Sequence, residues 1–155
     1  MIIITGASDG LGLEIAKLYQ EEGKKVVNIS RRECPHADVN ICLSLREGEN
    51  IIEAANRVKE LPETMEALIN CVGVYSGEGF GHITEGEIKR VMSTNIKAPV
   101  LLISELFERI KKDEADVLNI ISTAGVKDKK HEPVYSVSKW GLRGFTLALQ
   151  AELKG

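Results

Sequence analysis

Short apolar runs alternate along the chain with segments in which apolar residues recur every three or four positions. Runs of branched residues predict strands, and the longer period predicts amphipathic helices. The five predicted strands cover residues 2–4, 26–29, 39–45 (the weakest), 67–72 and 117–121. Because strands with continuous apolar runs that alternate with helices are typical of a parallel sheet covered on both faces, the pattern predicts a doubly wound α/β domain of the Rossmann-like type.

Four helices are predicted around these strands, most of them with a recognisable start or stop signal. The first helix carries Leu11, Ile15, Leu18 and Tyr19 on one face and ends before Gly23. The second covers 51–61 and is ended by Pro62, and the third is long, from the N-cap Thr84 to about Lys112. The last helix covers 133–154, with Gly155 at its C-cap. The glycine-rich segment 75–83 lies beyond the fourth strand, on the side of the sheet where such folds bind ligands.

Composition narrows the class of protein. The chain has 155 residues, 43% of them hydrophobic and 28% charged, which is typical of one globular domain over residues 1–155. A net charge of -3 gives no basic footprint for nucleic acid, and no apolar run or leader predicts a membrane span or a signal peptide. We therefore expect a cytoplasmic protein. Cys34, Cys42 and Cys71 lack metal-ligand spacing, so free thiols and no metal site are expected.

The first chemical signal is the glycine loop TGASDGLG after the first strand. Its glycines are Gly6, Gly10 and Gly12. Glycines at such a strand-to-helix turn let a phosphate approach the backbone, and the positive end of the helix favours an anion. The alternative is an ordinary turn between a strand and a helix. The position of the loop at the start of an alternating α/β pattern favours dinucleotide binding.

The residues after the second strand bear on the choice of cofactor. An NAD site usually has an acidic residue there, which accepts a hydrogen bond from the ribose 2′-hydroxyl. This chain has Arg31 and Arg32 instead, and a guanidinium can bind a 2′-phosphate through paired, charge-assisted hydrogen bonds. A solvated basic loop is the alternative. The sequence favours NADP(H), with Arg31 the better candidate, while NAD(H) stays possible.

A second signal is a set of spaced polar residues in the second half of the chain. Tyr135 and Lys139 are four residues apart and would share one face of a helix. Ser122 ends the fifth strand, Asn70 ends the fourth, and Asn95 lies in the long helix. Because the carboxyl ends of parallel strands meet at one edge of the sheet, the spacing directs the glycine loop, Asn70, Ser122 and Tyr135 toward one crevice.

A proline bears on the place of Asn95 in this set. Pro99 follows Asn95 by four positions and lacks the N–H that would bond to its carbonyl oxygen in an α-helix. The sequence therefore predicts a kink there and a carbonyl free to hold a water molecule. A polar side chain that faces solvent in mid-helix is the alternative for Asn95.

With these motifs in place, the chain resembles the classical short-chain dehydrogenase/reductase family. The resemblance extends from the TGASDGLG loop through the NCVG segment at 70–73, Asn95, STAG at 122–125 and YSVSK at 135–139. It implies a catalytic tetrad of Asn95, Ser122, Tyr135 and Lys139. It also implies cofactor binding by Gly6, Ser8, Asp9, Gly10, Leu11, Gly12, Arg31, Arg32, Asn70, Gly73, Tyr135 and Lys139.

The resemblance also implies a mechanism, which is an expectation at this stage. Tyr135 would exchange a proton with a carbonyl or alcohol oxygen that Ser122 orients, while hydride passes to or from the nicotinamide. Lys139 would stabilise the phenolate and hold the nicotinamide ribose, and Asn95 would hold a water in a proton relay to Lys139. The expected activity is an NADP(H)-dependent oxidoreductase that acts on a small-molecule carbonyl or alcohol.

Departures from the family pattern set the limits of this expectation. Cys71 and Val72 stand where the family often has Asn and Ala, and Ser44 stands where an acidic residue often contacts the adenine. The family continues past the helix that carries Tyr135 with strands and loops that are not in this chain. We expect either a piece of a longer protein, which we favour, or a gap filled by a partner, with the fifth strand an open edge. The alternative function is a cofactor-binding module without turnover.

Oligomer formation is the last expectation. The family forms dimers or tetramers through its last two long helices. The last helix here is apolar around more than one face, which predicts partial burial in the core and a homo-oligomer interface.

Overall fold

The computed structural model describes residues 1–154, which form one parallel sheet with helices on both faces. The strands are β1 Ile2–Thr5, β2 Val26–Ser30, β3 Val39–Cys42, β4 Ala67–Asn70 and β5 Asp116–Asn119. The helices are α1 Gly10–Glu21, α2 Gly48–Lys59, α3 Glu85–Met92, α4 Ala98–Asp113 and α5 Pro133–Leu153. The predicted C-cap glycine, Gly155, lies outside the described residues.

The strand order is β3-β2-β1-β4-β5, and every neighbouring pair is parallel. The doubly wound α/β prediction is therefore confirmed. The chain winds in one direction from β1 to β3 and in the other from β4 to β5, so the reversal lies between β1 and β4. In such sheets the crevice beyond the carboxyl ends of the strands at the reversal is where ligands bind.

Two apolar cores fix the sheet between its helices. One contains Ile3, Val27 and Leu68 of the sheet, packed with buried residues of α2 and α4. The other face places Ile4 and Ile69 with residues of α1. The fully buried strands β1 and β2 explain why their sequences show continuous apolar runs rather than alternation.

The long helix predicted from Thr84 to Lys112 is not continuous. Its start is as predicted, because the Thr84 hydroxyl accepts a hydrogen bond of 3.2 Å from the Glu87 N–H. A π-helical segment, Ser93–Lys97, then separates α3 from α4. Pro99 has no N–H to donate to the carbonyl of Asn95, so the α-helical ladder is interrupted where the sequence predicted a kink.

The apolar stripe predicted on the first helix was wrong at two positions. Leu11 and Leu18 are 57% and 60% exposed, and the fully buried positions of α1 are Gly12 and Ala16. The reason is a very close approach between α1 and the loop before it. A Cβ on Gly12 would lie 2.4 Å from the carbonyl oxygen of Gly6. The buried face of α1 is therefore built from small residues rather than from leucines.

This approach predicts opposite effects for two glycine-to-alanine changes in helices. Gly12→Ala forces the loop or the helix to shift, and we expect it to lower the free energy of unfolding by about 2–4 kcal/mol. Gly144→Ala is the matched control in α5, where an added Cβ meets nothing within 4 Å. It should raise stability by about 0.5–1 kcal/mol, because alanine favours helix. Urea unfolding followed by circular dichroism measures both; equal effects would contradict the steric argument.

No helix among residues 1–154 is both long and apolar enough to cross a bilayer. Within the same described residues, no three side chains of the His, Cys, Asp and Glu types come together as a metal would require.

Candidate functional site

A cleft of about 330 Å³ opens at the carboxyl ends of the strands. This volume is near the lower end of the range that is usual for ligand-binding clefts. The cleft is lined by three predicted glycines and by polar and basic side chains from the loops that follow β1, β2, β3 and β4. The predicted cofactor-binding residues in its lining are Gly6, Ser8, Asp9, Gly10, Arg31, Arg32 and Gly73. The fold thus brings together residues that are widely separated along the chain.

The floor of the cleft depends on two backbones that lie very close together. A Cβ on Gly6 would lie 3.0 Å from the Cα of Val72, and Gly6 has φ +75, a left-handed conformation that favours glycine. Asp9 caps α1, with its carboxylate accepting a hydrogen bond of 2.8 Å from the Gly10 N–H. The first turn of α1 therefore begins at the cleft, where its free N–H groups and dipole favour an anion.

Three guanidinium groups belong to residues that line the same cleft. Arg32 forms an exposed ion pair of 2.9 Å with Asp9 across the loop, and this bond and charge lower the pKa of the Asp9 carboxyl. Arg31 has no carboxylate within 4.0 Å in the described part of the chain, and the same is true of Arg46. Sequence reasoning missed Arg46. A basic residue soon after the third predicted strand was the available signal.

The other five predicted cofactor-binding residues do not line the cleft: Leu11, Gly12, Asn70, Tyr135 and Lys139. Leu11 is exposed and Gly12 is buried under Gly6, as described above. Asn70 is 2% exposed and donates a hydrogen bond of 2.9 Å from Nδ2 to Oδ1 of Asn119. Thr5, which sequence reasoning missed, accepts a bond of 3.2 Å from the Val72 N–H through its hydroxyl oxygen. These bonds hold β4 between β1 and β5 directly beneath the cleft.

Asn95 is fully buried and joins three parts of the chain. Its Oδ1 accepts a hydrogen bond of 2.8 Å from the Val74 N–H, and its Nδ2 donates one of 3.0 Å to the Val74 carbonyl. Nδ2 also donates to the hydroxyl of Ser138 at 3.0 Å. The alternative of a solvent-facing polar residue is thereby excluded. Sequence reasoning missed Ser138 and Val74; the bonds to Val74 involve only its backbone, which leaves no residue-type signal.

Lys139 is an almost fully buried cation, with 5% of its surface exposed. Its Nζ donates a hydrogen bond of 3.0 Å to the carbonyl oxygen of Ile120, which follows β5. Burial lowers the pKa of Lys139, while the nearby Cys71 acts in the opposite direction. Burial likewise raises the pKa of the Cys71 thiol to about 11, against the effect of Lys139. A thiol with such a pKa is neutral, so Cys71 adds no charge to the site.

Tyr135 lies beside this cation, as the four-residue spacing on α5 predicts. The Nζ of Lys139 is 5.7 Å from the centroid of the Tyr135 ring. The same Nζ would lie 3.5 Å from a Cβ placed on Gly73, and Oδ1 of Asn95 would lie 3.6 Å from it. Gly73, which lines the cleft, therefore lies directly over both side chains, neither of which is itself part of the lining.

Ser122 begins a short 3-10 turn, Thr123–Gly125, and its hydroxyl oxygen accepts a hydrogen bond of 3.2 Å from the Ala124 N–H. The turn packs closely against α5, since a Cβ on Gly125 would lie 2.9 Å from the carbonyl oxygen of Lys139. A hydroxyl, a phenol and an ammonium thus lie on adjoining elements at one end of the sheet. Such a set can orient an oxygen atom and exchange a proton with it.

Comparison with known proteins places this arrangement among oxidoreductases. The family model for short chain dehydrogenases matches residues 1–155. An uncharacterized oxidoreductase of Thermotoga maritima is 30% identical over 98% of this chain, which covers 65% of that protein. Two solved structures have the same fold over 99% of the chain. They are 4-hydroxyisoleucine dehydrogenase complexed with NADH and succinate (TM-score 0.90, 23% identity, 73% of that chain) and ElxO with NADP bound (TM-score 0.88, 20% identity, 67% of that chain).

The extent of these matches is as informative as their quality. The chain spans 58–65% of the length of the first curated relatives that it matches. One family model nevertheless matches the whole of this chain, residues 1–155. The chain also has the parallel sheet described above, with the glycine loop at the point where the strand order reverses. This chain belongs to the short-chain dehydrogenase/reductase family, whose members are oxidoreductases.

Proposed function

We propose that the protein of which this chain is all or part is an NADP(H)-dependent oxidoreductase that interconverts a carbonyl and an alcohol, with Tyr135 as the acid/base. The observation that carries the proposal is the buried Lys139 ammonium, which lies 5.7 Å from the centroid of the Tyr135 ring and directly under Gly73 of the cleft lining. A buried cation that is not paired with a carboxylate requires a use, because burying it is costly. Stabilising a phenolate is a use that this position allows.

The residues present fit a nicotinamide dinucleotide. Gly6 and Gly73 add no side chain to the cleft, the start of α1 offers N–H groups, and Arg31 has no carboxylate within 4.0 Å among the described residues. When bound, the nicotinamide supplies or accepts the hydride. Tyr135 gives its phenolic proton to the carbonyl oxygen during reduction and takes it back during oxidation. Lys139 stabilises the phenolate between these steps, and Ser122 orients the substrate oxygen.

Asn95 supports this chemistry by position. Its bonds to Val74 and Ser138 fix the segment after β4 against α5, so that Gly73 stays directly over Lys139. In this proposal Asn95 holds the geometry in which the Lys139 ammonium and the Tyr135 phenol are neighbours, and its carbonyl, which can accept no hydrogen bond from Pro99, holds the relay water.

A cofactor-binding module without turnover is the second candidate. The glycine-lined cleft accounts for dinucleotide binding whether or not turnover follows. Both candidates include dinucleotide binding, so only turnover separates them.

Tyr135→Phe tests the catalytic assignment. The change removes only the exchangeable proton, so we expect turnover of small aldehydes and ketones to fall by at least about 10³-fold, because the proton transfer loses its donor. NADPH affinity should change by less than about threefold. NADPH absorbance measures the first quantity and fluorescence titration the second, with Tyr19→Phe in α1 as the matched control. Unchanged turnover would refute the role of Tyr135, and NADPH binding without wild-type turnover would support the second candidate.

Arg31→Ala tests the preference for NADP(H). Loss of charge-assisted bonds to a 2′-phosphate should weaken NADPH binding by about 10- to 100-fold and NADH binding by less than about threefold. Arg57→Ala is the matched control, because Arg57 is an exposed residue of α2 that lies outside the cleft lining. Isothermal titration of all three proteins with both cofactors measures the effect. Equal losses for NADPH and NADH would show that Arg31 does not distinguish them.

We also propose a homo-oligomer interface on α5. The helix exposes four large apolar side chains, Val137 at 60%, Trp140 at 46%, Leu147 at 57% and Leu153 at 38%. Leu142 and Leu149 of the same helix are buried in the monomer, which matches the division between core and interface expected from the sequence. A second copy that presents the same face would cover this surface by two-fold symmetry.

Leu147→Glu tests that interface. A charge in an apolar contact between two copies should shift the protein to monomers, as measured by light scattering after size exclusion. Leu18→Glu is the matched control, since Leu18 is equally exposed, at 60%, on α1. A wild-type protein that is monomeric, or dissociation by both changes alike, would contradict the assignment to α5.

A further inference from the structure

Tyr75 is an aromatic residue beside the proposed acid/base. It lies in the glycine-rich segment that follows β4, with 60% of its surface exposed. Its ring nevertheless meets the ring of Tyr135 edge-on, with centroids 5.2 Å apart and an interplanar angle of 65°. This is a favourable geometry for two aromatic rings, because the positive edge of one faces the negative face of the other.

Two hydrogen bonds hold Tyr75 at opposite ends in spite of this exposure. Its hydroxyl donates to Oε1 of Glu132 at 3.3 Å, and its carbonyl oxygen accepts a bond of 3.0 Å from the guanidinium of Arg90. Its ring also lies over Gly77, where an added Cβ would come within 3.1 Å of it. An exposed tyrosine without such bonds would be free to change rotamer.

The hydrogen bond from Tyr75 to Glu132 connects Tyr75 to the start of the helix that carries Tyr135. Glu132 is the residue directly before α5, and Tyr135 is in the first turn of that helix. The segments that carry Tyr75 and Glu132 meet a second time, because a Cβ on Gly79 would lie 3.2 Å from Nδ1 of His131. The Tyr75 ring is therefore fixed relative to the same turn that carries the phenol it touches.

The two tyrosines lie in opposite electrostatic surroundings. Tyr135 has the Lys139 ammonium 5.7 Å from its ring centroid, whereas Tyr75 has the Glu132 carboxylate at its hydroxyl. Burial and the charge and hydrogen bond of Glu132 raise the pKa of Tyr75, so it stays a neutral donor. Environments that differ in this way separate the roles of two like groups.

We propose that Tyr75, held by Glu132, is a positioning residue that fixes the orientation of the Tyr135 ring. The inference rests on the proposed function of Tyr135, but the contact itself does not depend on turnover. Tyr75 excludes other rotamers of Tyr135 by edge contact, and Glu132 keeps Tyr75 in place. Proton transfer is sensitive to such placement, because small displacements of a catalytic group are costly.

A double-mutant cycle on the hydrogen bond between Tyr75 and Glu132, called the tether below, tests this proposal. Tyr75→Phe keeps the ring and removes the bond to Glu132, and Glu132→Ala removes the acceptor. Each single change should lower kcat by about threefold, and the double variant should also lose only about threefold, because both changes break one bond. Losses that multiply to about ninefold, or single variants equal to wild type, would overturn the tether. The NADPH dissociation constant should be unchanged in all three variants.

The ring contact is tested separately, with a readout that does not need turnover. The chain has three tyrosines, so incorporation of 3-fluorotyrosine gives three ¹⁹F resonances, and Tyr135→Phe identifies one of them. We expect Glu132→Ala and Tyr75→Phe to shift and broaden the Tyr135 resonance as the ring becomes mobile, and the double variant to match the singles. Tyr19→Phe in α1 is the control and should leave that resonance unchanged.

The two arms distinguish the failure of this inference from the failure of the proposed function. If the Tyr135 resonance does not change when the tether is removed, the positioning role is overturned, whether or not the wild-type protein has catalytic turnover. A resonance that responds, in a protein that binds NADPH without turnover, supports the positioning of Tyr135 and refutes its catalytic role. Tyr75→Leu, which removes the ring as well, should lower kcat by about tenfold, more than either tether variant. A smaller loss would contradict the ring contact.

Discussion

The buried side chain of Asn95 is the interaction on which the rest of the site depends. One amide group satisfies both backbone groups of Val74 and the hydroxyl of Ser138, so it joins the segment after β4 to α5. Without Asn95 the two backbone groups of Val74 would lose these partners, and a buried polar group left unpaired costs about 1–3 kcal/mol. The π-helical segment, Ser93–Lys97, that carries Asn95 is a local departure from α-helix of the kind that often occurs at functional sites.

A second constraint involves Lys139, because its Nζ and Oδ1 of Asn95 both lie directly under Gly73, 3.5 Å and 3.6 Å from the position that a Cβ would occupy there. The Lys139 ammonium has a single protein acceptor, the Ile120 carbonyl, in the described residues, and a carbonyl oxygen offsets only part of the desolvation of a cation. Its depressed pKa expresses the same imbalance. A negative charge on a neighbouring group would reduce the cost of burying the Lys139 ammonium. In the proposed function, the ammonium that is costly to bury is therefore also the group that stabilises the Tyr135 phenolate.

Much of this could be predicted from the sequence, and the failures have physical causes. Branched runs located all five strands, and the glycine spacing located the cleft, because buried parallel strands and close backbone approaches need particular residue types. The α1 stripe failed at Leu11 and Leu18, since the closeness of Gly12 to Gly6 reverses the usual preference for large residues on a buried face. The backbone partners of Asn95 and Lys139 could not be predicted, because any residue supplies a carbonyl.

The wall of the site that contains Ile120 and Ser122 has the least support within the described residues. There β5 pairs only with β4, and its side chains alternate between exposed and partly buried. One polar chain ties it down: Asn70 donates to Asn119, which donates to Thr146 on α5 at 3.0 Å. The acceptor of Lys139 lies one residue beyond Asn119. Because the Ile120 carbonyl accepts the hydrogen bond from Lys139, the contacts that hold this end of β5 also hold the Lys139 ammonium beside the Tyr135 ring.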